Sequence, residues 1–370
     1  MKMTMMQQGL SGLLLLLLLL SSCASGLESV VRKDYRYFAN QRTWKKAQSI
    51  CRSNRYYTDL ATIYTQSDTE LMNMNEYFAW IGLHRPANFS TSSNWLWSDG
   101  WNNFINRWAQ DEPGDGESCA FISSYNDRFY GASCEKYFFF ICEKDRENNP
   151  RYSFSFIPQP KTWSEAQQYC RDQLDDLVTI KHSFNLDSDV RHNGFPVWTG
   201  LHKDGQTWKW SRGLSDYRKW ASGEPGNNSD NNCVSISSFS KEMATQNCSA
   251  RFPFVCFRDN LVLVKEKKTW EEALEHCRAL QYELVSVQPG TDHSYVMRKV
   301  MEANTEKVWA GLRFLAGRWL WVNKASMLYS GLPHCPLERQ HCGALSKSDS
   351  GSLETIDCLE KLNFLCYSTT

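Results

Sequence analysis

The chain is short of several things that would point to familiar functions. It has no net charge: 41 lysines and arginines balance 41 aspartates and glutamates over 370 residues. That removes the electrostatic reason to expect nucleic acid or an anionic membrane as partner. It has no G-x-S-x-G and no H-E-x-x-H, and its eight histidines are scattered, so no hydrolase or metalloprotease pattern is present. Close C-x-x-C pairs are absent as well, which argues against structural zinc. Beyond the N-terminus no apolar run approaches the length of about 18 residues needed to span a bilayer.

What is present starts with a leader. Lys2 precedes eight leucines, Leu13 to Leu20, followed by the small residues Ser21, Ser22, Cys23, Ala24, Ser25 and Gly26. This is the layout of a secretory signal peptide over residues 1–26, with cleavage expected near Ala24 to Gly26; the alternative is a signal anchor. The C-terminal Tyr367-Ser-Thr-Thr370 offers no hydrophobic tail for a lipid anchor. The expectation is a secreted, extracellular protein. Fourteen cysteines suit that compartment, where disulfides persist. Aromatics make up 14% of the residues, enough for small domains to build dense cores.

One pattern then occurs three times. Thr43-Trp44-Lys-Lys-Ala47-Gln-Ser-Ile-Cys51 returns as Thr162-Trp163-Ser-Glu-Ala166-Gln-Gln-Tyr-Cys170 and as Thr269-Trp270-Glu-Glu-Ala273-Leu-Glu-His-Cys277. Trp, Ala and Cys fall at i, i+3 and i+7, one face of an amphipathic helix. Thr is a good N-cap, and Glu165 and Glu272 complete capping boxes; Lys46 holds that place in the first copy. Asp59-Leu-Ala-Thr-Ile63, Asp176-Leu-Val-Thr-Ile180 and Glu283-Leu-Val-Ser-Val287 follow. So do Trp80-Ile-Gly-Leu83, Trp198-Thr-Gly-Leu201 and Trp309-Ala-Gly-Leu312, then Trp95-Leu-Trp97, Trp208-Lys-Trp210 and Trp319-Leu-Trp321. These short aromatic and β-branched runs read as strands. Each copy closes on an aromatic strand ending in Cys142, Cys256 or Cys366. The domains are expected at 35–143, 152–257 and 261–367. The polar stretch 144–151 reads as a linker, giving more freedom between copies one and two than between two and three.

The cysteines repeat with the pattern. Cys51 to Cys142 spans 91 positions, Cys170 to Cys256 spans 86 and Cys277 to Cys366 spans 89. Cys119 to Cys134 and Cys233 to Cys248 each span 15, and Cys342 to Cys358 spans 16. Four cysteines in a copy allow three pairings, and spacing does not choose among them. Cys335 is left over. It is either a contact for an intermolecular disulfide, giving a disulfide-linked dimer, or a buried or capped thiol.

Helix-borne Trp and Cys, W-x-G-L, W-x-W, an E-P tripeptide and a C-terminal F-x-C strand together resemble the C-type lectin-like domain, three times over nearly the whole mature chain. The resemblance implies an α+β fold: three tandem domains, each with two helices, short antiparallel sheets and two disulfides. It implies that the helix cysteine pairs with the last cysteine and that the two middle ones pair. The expected bonds are Cys51–Cys142, Cys119–Cys134, Cys170–Cys256, Cys233–Cys248, Cys277–Cys366 and Cys342–Cys358.

The resemblance also implies a long loop that can hold calcium, whose coordination a sugar completes. Calcium takes about 6–8 oxygen ligands. The first copy offers Glu112-Pro113-Gly114 and Glu117, the second Glu224-Pro225-Gly226 and Asn231. The third has Leu332-Pro333-His334, Gln340 and Glu354. The final acidic slot holds Phe129-Tyr130-Gly131 in copy one and Met243-Ala244-Thr245 in copy two. The calcium set is largely eroded, and a weak calcium at Glu112 and Glu117 is the best remaining candidate. Sequons place N-glycans at Asn88, Asn227 and Asn247. The expected function is a non-enzymatic, secreted recognition protein for extracellular carbohydrate or glycoprotein ligands. Calcium-independent binding of a protein ligand, or a structural extracellular module, is the alternative.

Overall fold

A computed structural model describes residues 31–86, 95–100, 107–144, 153–180, 186–191, 194–287, 293–325, 327, 331–348 and 352–368. The leader over 1–26, the sequon at Asn88 and residues 145–151 of the expected linker lie outside the described residues. The described residues divide into two compact units, one within residues 34–258 and one of residues 31–33 with those of 259–368. Among the described residues no helix is long and apolar enough to cross a membrane.

The third repeat shows the plan in its simplest form. Thr269 caps the helix Trp270–Ala279, and Glu272 returns the bond to the Thr269 N–H. The helix buries Trp270, Ala273 and Cys277, the face expected from their spacing. Strand Leu261–Lys268 lies antiparallel to the closing strand Leu362–Ser368, which runs parallel to Lys307–Leu315. A hairpin, Cys342–Ser346 with Leu353–Ile356, completes the sheet, and a second helix spans His293–Met301. The Trp270 indole donates to the Ala310 carbonyl at 2.8 Å, and the Trp309 indole donates to Lys268 at 2.9 Å. Gly311 is required between them: a Cβ there would come within 2.8 Å of the Leu284 carbonyl and 2.7 Å of Val322. Cys277–Cys366 and Cys342–Cys358 staple the module as expected.

Repeats one and two build the same module twice, but not each from its own residues. The opening strand of repeat one, Lys33–Arg42, pairs with the closing strand of repeat two, Phe252–Asp259. The opening strand of repeat two, Ser153–Lys161, pairs antiparallel with the closing strand of repeat one, Phe138–Lys144. The short strands follow suit: Leu60 lies opposite Cys256, and Leu177 opposite Cys142. The helix tryptophans cross over too, Trp44 donating to Thr199 at 2.8 Å and Trp163 to Ile81 at 2.9 Å. In return Trp198 donates to Arg42 and Trp80 to Lys161. Residues 34–258 are thus two modules that have exchanged their N-terminal halves.

Two expected disulfides are corrected by this exchange. Cys51–Cys142 and Cys170–Cys256 are replaced by Cys51–Cys256 and Cys142–Cys170. Cys119–Cys134 and Cys233–Cys248 form as expected, since both partners sit in the half that stays together. The reason is that the repeats share one pattern, so either helix face suits either closing strand. Local motifs fix which kind of strand each cysteine meets, not which copy supplies it. The expected freedom between copies one and two is corrected as well: the two are interlocked in one unit, with crossed disulfides enclosing separations of 205 and 28 residues.

A pseudo-twofold axis relates the two modules. It can be located because residues in equivalent places meet across it. Tyr77 and Phe195, each just ahead of the W-x-G-L strand, have ring centroids 5.6 Å apart. Tyr137 and Arg251, each just ahead of the closing strand, stack as cation on ring at 4.5 Å.

Candidate functional site

The long loops follow the half that carries the W-x-G-L strand and the hairpin. In the first loop Glu112–Pro113 is cis, and Asp111 before it takes a left-handed conformation. The Ala109 N–H donates to Phe129, and the Glu112 N–H donates back to Ala109. This turn aims Glu112 at the hairpin, where Oε2 accepts the Gly131 N–H at 2.9 Å. Glu117 folds onto the same spot from the other side, accepting the Gly114 N–H at 2.8 Å. Its carboxylate fills the space over Gly131, and a Cβ at Gly131 would collide with it. The structure therefore brings Glu112, Pro113 and Glu117 together and gives Gly131 a reason to be glycine.

These carboxylates line a cleft of about 500 Å³ whose far wall comes from elsewhere in the chain. Arg42 ends the exchanged opening strand, and Arg251 belongs to the second repeat. Tyr137 and Phe121 supply aromatic surface. The cleft thus carries acidic and cationic groups together, and Arg251 covers Tyr137 within it. Arg42 and Arg251 escaped the sequence reading, because nothing in either repeat alone signals that they line the same cleft as Glu112.

The second loop has the same backbone with different chemistry. Glu224–Pro225 is cis. Oε2 of Glu224 accepts from the Thr245 hydroxyl at 2.6 Å, the Thr245 N–H at 3.0 Å and the Gly226 N–H at 2.9 Å. Burial alone would raise this carboxyl, but the bonds from Thr245 and Gly226 outweigh it and hold the pKa below the ordinary value. Thr245 stands where copy one has Gly131, and Asn231 where it has Glu117. The Asn231 N–H donates to Asn228, and its side chain is half-buried. Asn227 and Asn247 are exposed.

The third loop does not assemble the residues named in it. The Pro333 carbonyl accepts the Trp319 indole N–H at 2.9 Å. Glu354 is held by Lys307 at 2.8 Å, and that bond keeps its carboxyl below the usual range. Cys335 is an exposed, unpaired thiol, not buried.

With that geometry in view, the comparisons with known proteins are direct. The C-type mannose receptor 2 of Mus musculus is 22% identical over 412 residues, covering 89% of this chain and 27% of the receptor. The secretory phospholipase A2 receptor of Mus musculus is 23% identical over 361 residues, covering 78% of this chain and 24% of the receptor. The chain therefore spans about a quarter of the length of these relatives. Lithostathine-1 of Mus musculus is 30% identical over 127 residues, covering 31% of this chain and 77% of that protein. The lectin C-type domain family matches three times, at residues 40–144, 159–258 and 266–368, and the chain belongs to that family as a three-repeat member.

Proposed function

We propose that this chain is a secreted, non-catalytic recognition protein that captures extracellular glycans or glycoproteins through its long-loop faces, largely without calcium. The observation that carries the calcium part is the crowding of Glu117 over Gly131. Glu117 takes up the room in which a third acidic ligand would have to stand. Only Glu112 and Glu117 remain at the ligand positions, and each gives an oxygen to a loop N–H. That is far from the 6–8 oxygens calcium takes, several of them carboxylates. In the second loop one carboxylate is spent on Thr245 and Gly226. In the third the acid is paired with Lys307.

Recognition rests on the family and on the composite cleft, which offers acid, cation and aromatic surface in one concave site. Glycans at Asn227 would crowd the second loop and leave the first as the principal binding face. Several linked modules gain avidity where the spacing of the target suits them.

The test is a binding screen of the full secreted chain against immobilised glycans and cell surfaces, in calcium and in chelator. Most binding is expected to survive chelation, with little change of melting temperature on adding calcium. A steep calcium-dependent gain in either measurement would refute the calcium-free mechanism. Failure to bind any glycan or glycoprotein would refute the recognition reading.

A further inference from the structure

Among the described residues the two most exposed large hydrophobic side chains are Tyr125, at 80%, and Phe239, at 76%. They hold the same place in consecutive repeats, six residues after Cys119 and Cys233, at the tip of the hairpin between the two middle cysteines. An aromatic ring left in water at one tip is ordinary. The same exposure at both equivalent tips calls for a cause.

The tips are rigid. Ser123 Oγ accepts the Tyr125 N–H, and Ser237 Oγ accepts the N–H groups of Phe239 and Ser240. Asp127 and Lys241 take the left-handed conformation that closes each turn. The hydroxyl of the next serine ties each tip to the base of the W-x-G-L strand. Tyr77 N–H donates to Ser124 Oγ at 2.8 Å, and Phe195 N–H donates to Ser238 Oγ at 3.0 Å. Ser124 and Ser238 N–H groups donate back to the Tyr77 and Phe195 carbonyls.

Tyr77 and Phe195 are the residues whose rings meet at the pseudo-twofold axis, 5.6 Å apart. The exchange of halves therefore sets the tips that carry Tyr125 and Phe239 on either side of one axis, each tip bonded to the residue whose ring lies on it. The Tyr125 tip lies at its hairpin's turn, away from the end that meets Glu112. The third repeat, which exchanges nothing, has Ser346-Lys347-Ser348 at the corresponding turn and no ring. Its Lys347 instead donates to the Ala303 carbonyl.

We propose that Tyr125 and Phe239 form a two-ring platform for a neutral polysaccharide, bound without calcium. Each ring is a lone apolar face about the size of one hexose, and hexoses carry an apolar C–H face framed by hydroxyls. Their neighbours along the chain are serine and asparagine, not further apolar residues, so the tips do not supply the contiguous desolvated core of a protein interface. Ser-Ser-Tyr-Asn-Asp-Arg (123–128) and Ser-Ser-Phe-Ser-Lys-Glu (237–242) each sum to zero charge, which matches an uncharged ligand. Tips with an ordered backbone lose little main-chain freedom on binding, and an aromatic side chain has only two χ angles to fix. Two of them related by one axis favour a chain with a repeating unit over a single sugar. The proposal rests on the glycan reading above and assigns it a second surface.

The experiment uses the full chain in chelator against immobilised neutral polysaccharides, an α-mannan and a β-glucan among them, and against phosphatidylcholine vesicles. The double variant Tyr125→Ala/Phe239→Ala is expected to bind polysaccharide at least tenfold more weakly, each single variant less so, with unchanged circular dichroism. Tyr125→Phe should retain binding, and Leu359→Ala, which removes an exposed apolar side chain of the third repeat, should leave it unchanged; Glu112→Gln/Glu117→Gln reads the cleft separately. If only the glutamate variant loses binding, glycan recognition stands and the platform is overturned. The platform is equally overturned if the double variant loses vesicle binding while its polysaccharide binding is unchanged. A wild-type chain that binds no polysaccharide or glycoprotein overturns the glycan reading itself.

Discussion

Tyr137 and Arg251 occupy equivalent places in consecutive repeats, and the Arg251 guanidinium lies over the Tyr137 ring at 4.5 Å. A residue meets its own counterpart only at an axis of symmetry, so this one contact shows how repeats one and two are joined. They are two modules completed by each other's N-terminal halves, and the joint is where the cleft of the first long loop opens.

Peptide mapping under non-reducing conditions should recover Cys51 joined to Cys256 and Cys142 joined to Cys170. Recovery of Cys51 with Cys142 as the main species would refute the exchange. Replacing Cys142 and Cys170 with alanine should destabilise the 34–258 unit by about 3.5 kcal/mol on the chain-entropy estimate for a loop of this length. Denaturant melts with separate probes for that unit and the third repeat measure this.

Much of this architecture was legible. The T-W-x-x-A-x-x-x-C spacing placed the first helix of each repeat and its buried face, because i, i+3, i+7 is a property of the helix itself. The pairing of helix cysteine with closing strand came from the family resemblance, not from spacing, and it holds in all three modules. Which copy supplied the strand was not legible. Both copies carry the same helix and closing-strand motifs, so no residue within either copy names its partner. Glu112 and Glu117 were found from the loop pattern, whereas Arg42 and Arg251 reach the cleft only through the exchange.

Glu117 and Gly131 form a testable pair. Gly131→Ala should cost about 1–3 kcal/mol, the usual penalty for overpacking, because the added Cβ meets the Glu117 carboxylate. Adding Glu117→Asn, the residue the second repeat carries beside Thr245, should recover most of that loss. A double-mutant cycle in urea reads the coupling. Independent, additive effects would show that Glu117 does not occupy that space.

Acid should weaken the second repeat's helix in a defined way. The Thr162 N–H donates to Glu165 at 2.9 Å, and this bond, with one from the Thr162 hydroxyl, holds the Glu165 carboxyl below its ordinary value. A carboxyl whose folded pKa is depressed contributes its full stability above the unfolded value of about 4.3 and loses it as pH falls through the folded value. Glu165→Gln should therefore leave a shallower fall in stability below pH of about 4 than the parent chain shows. Thr162→Ala, which removes the cap, should cost about 1 kcal/mol at neutral pH. An acid limb unchanged in Glu165→Gln would show that the capping box does not titrate with folding.

In the third repeat, Lys299 and Asp259 form an ion pair at 3.0 Å with side chains only 8% and 3% exposed. The Tyr295 hydroxyl donates to the same Asp259 oxygen at 2.6 Å. Asp259 closes the second repeat's last strand and Lys299 lies on the third repeat's second helix, so the pair pins that helix to the chain entering its own module. Removing one partner of a buried pair strands the other charge, at a cost of about 3–5 kcal/mol. Lys299→Met should produce a loss of that order, and Lys299→Met with Asp259→Asn should lose less, since no buried charge is then unpaired. The comparison separates a structural ion pair from simple packing of the lysine stem, for which the second substitution would bring no recovery.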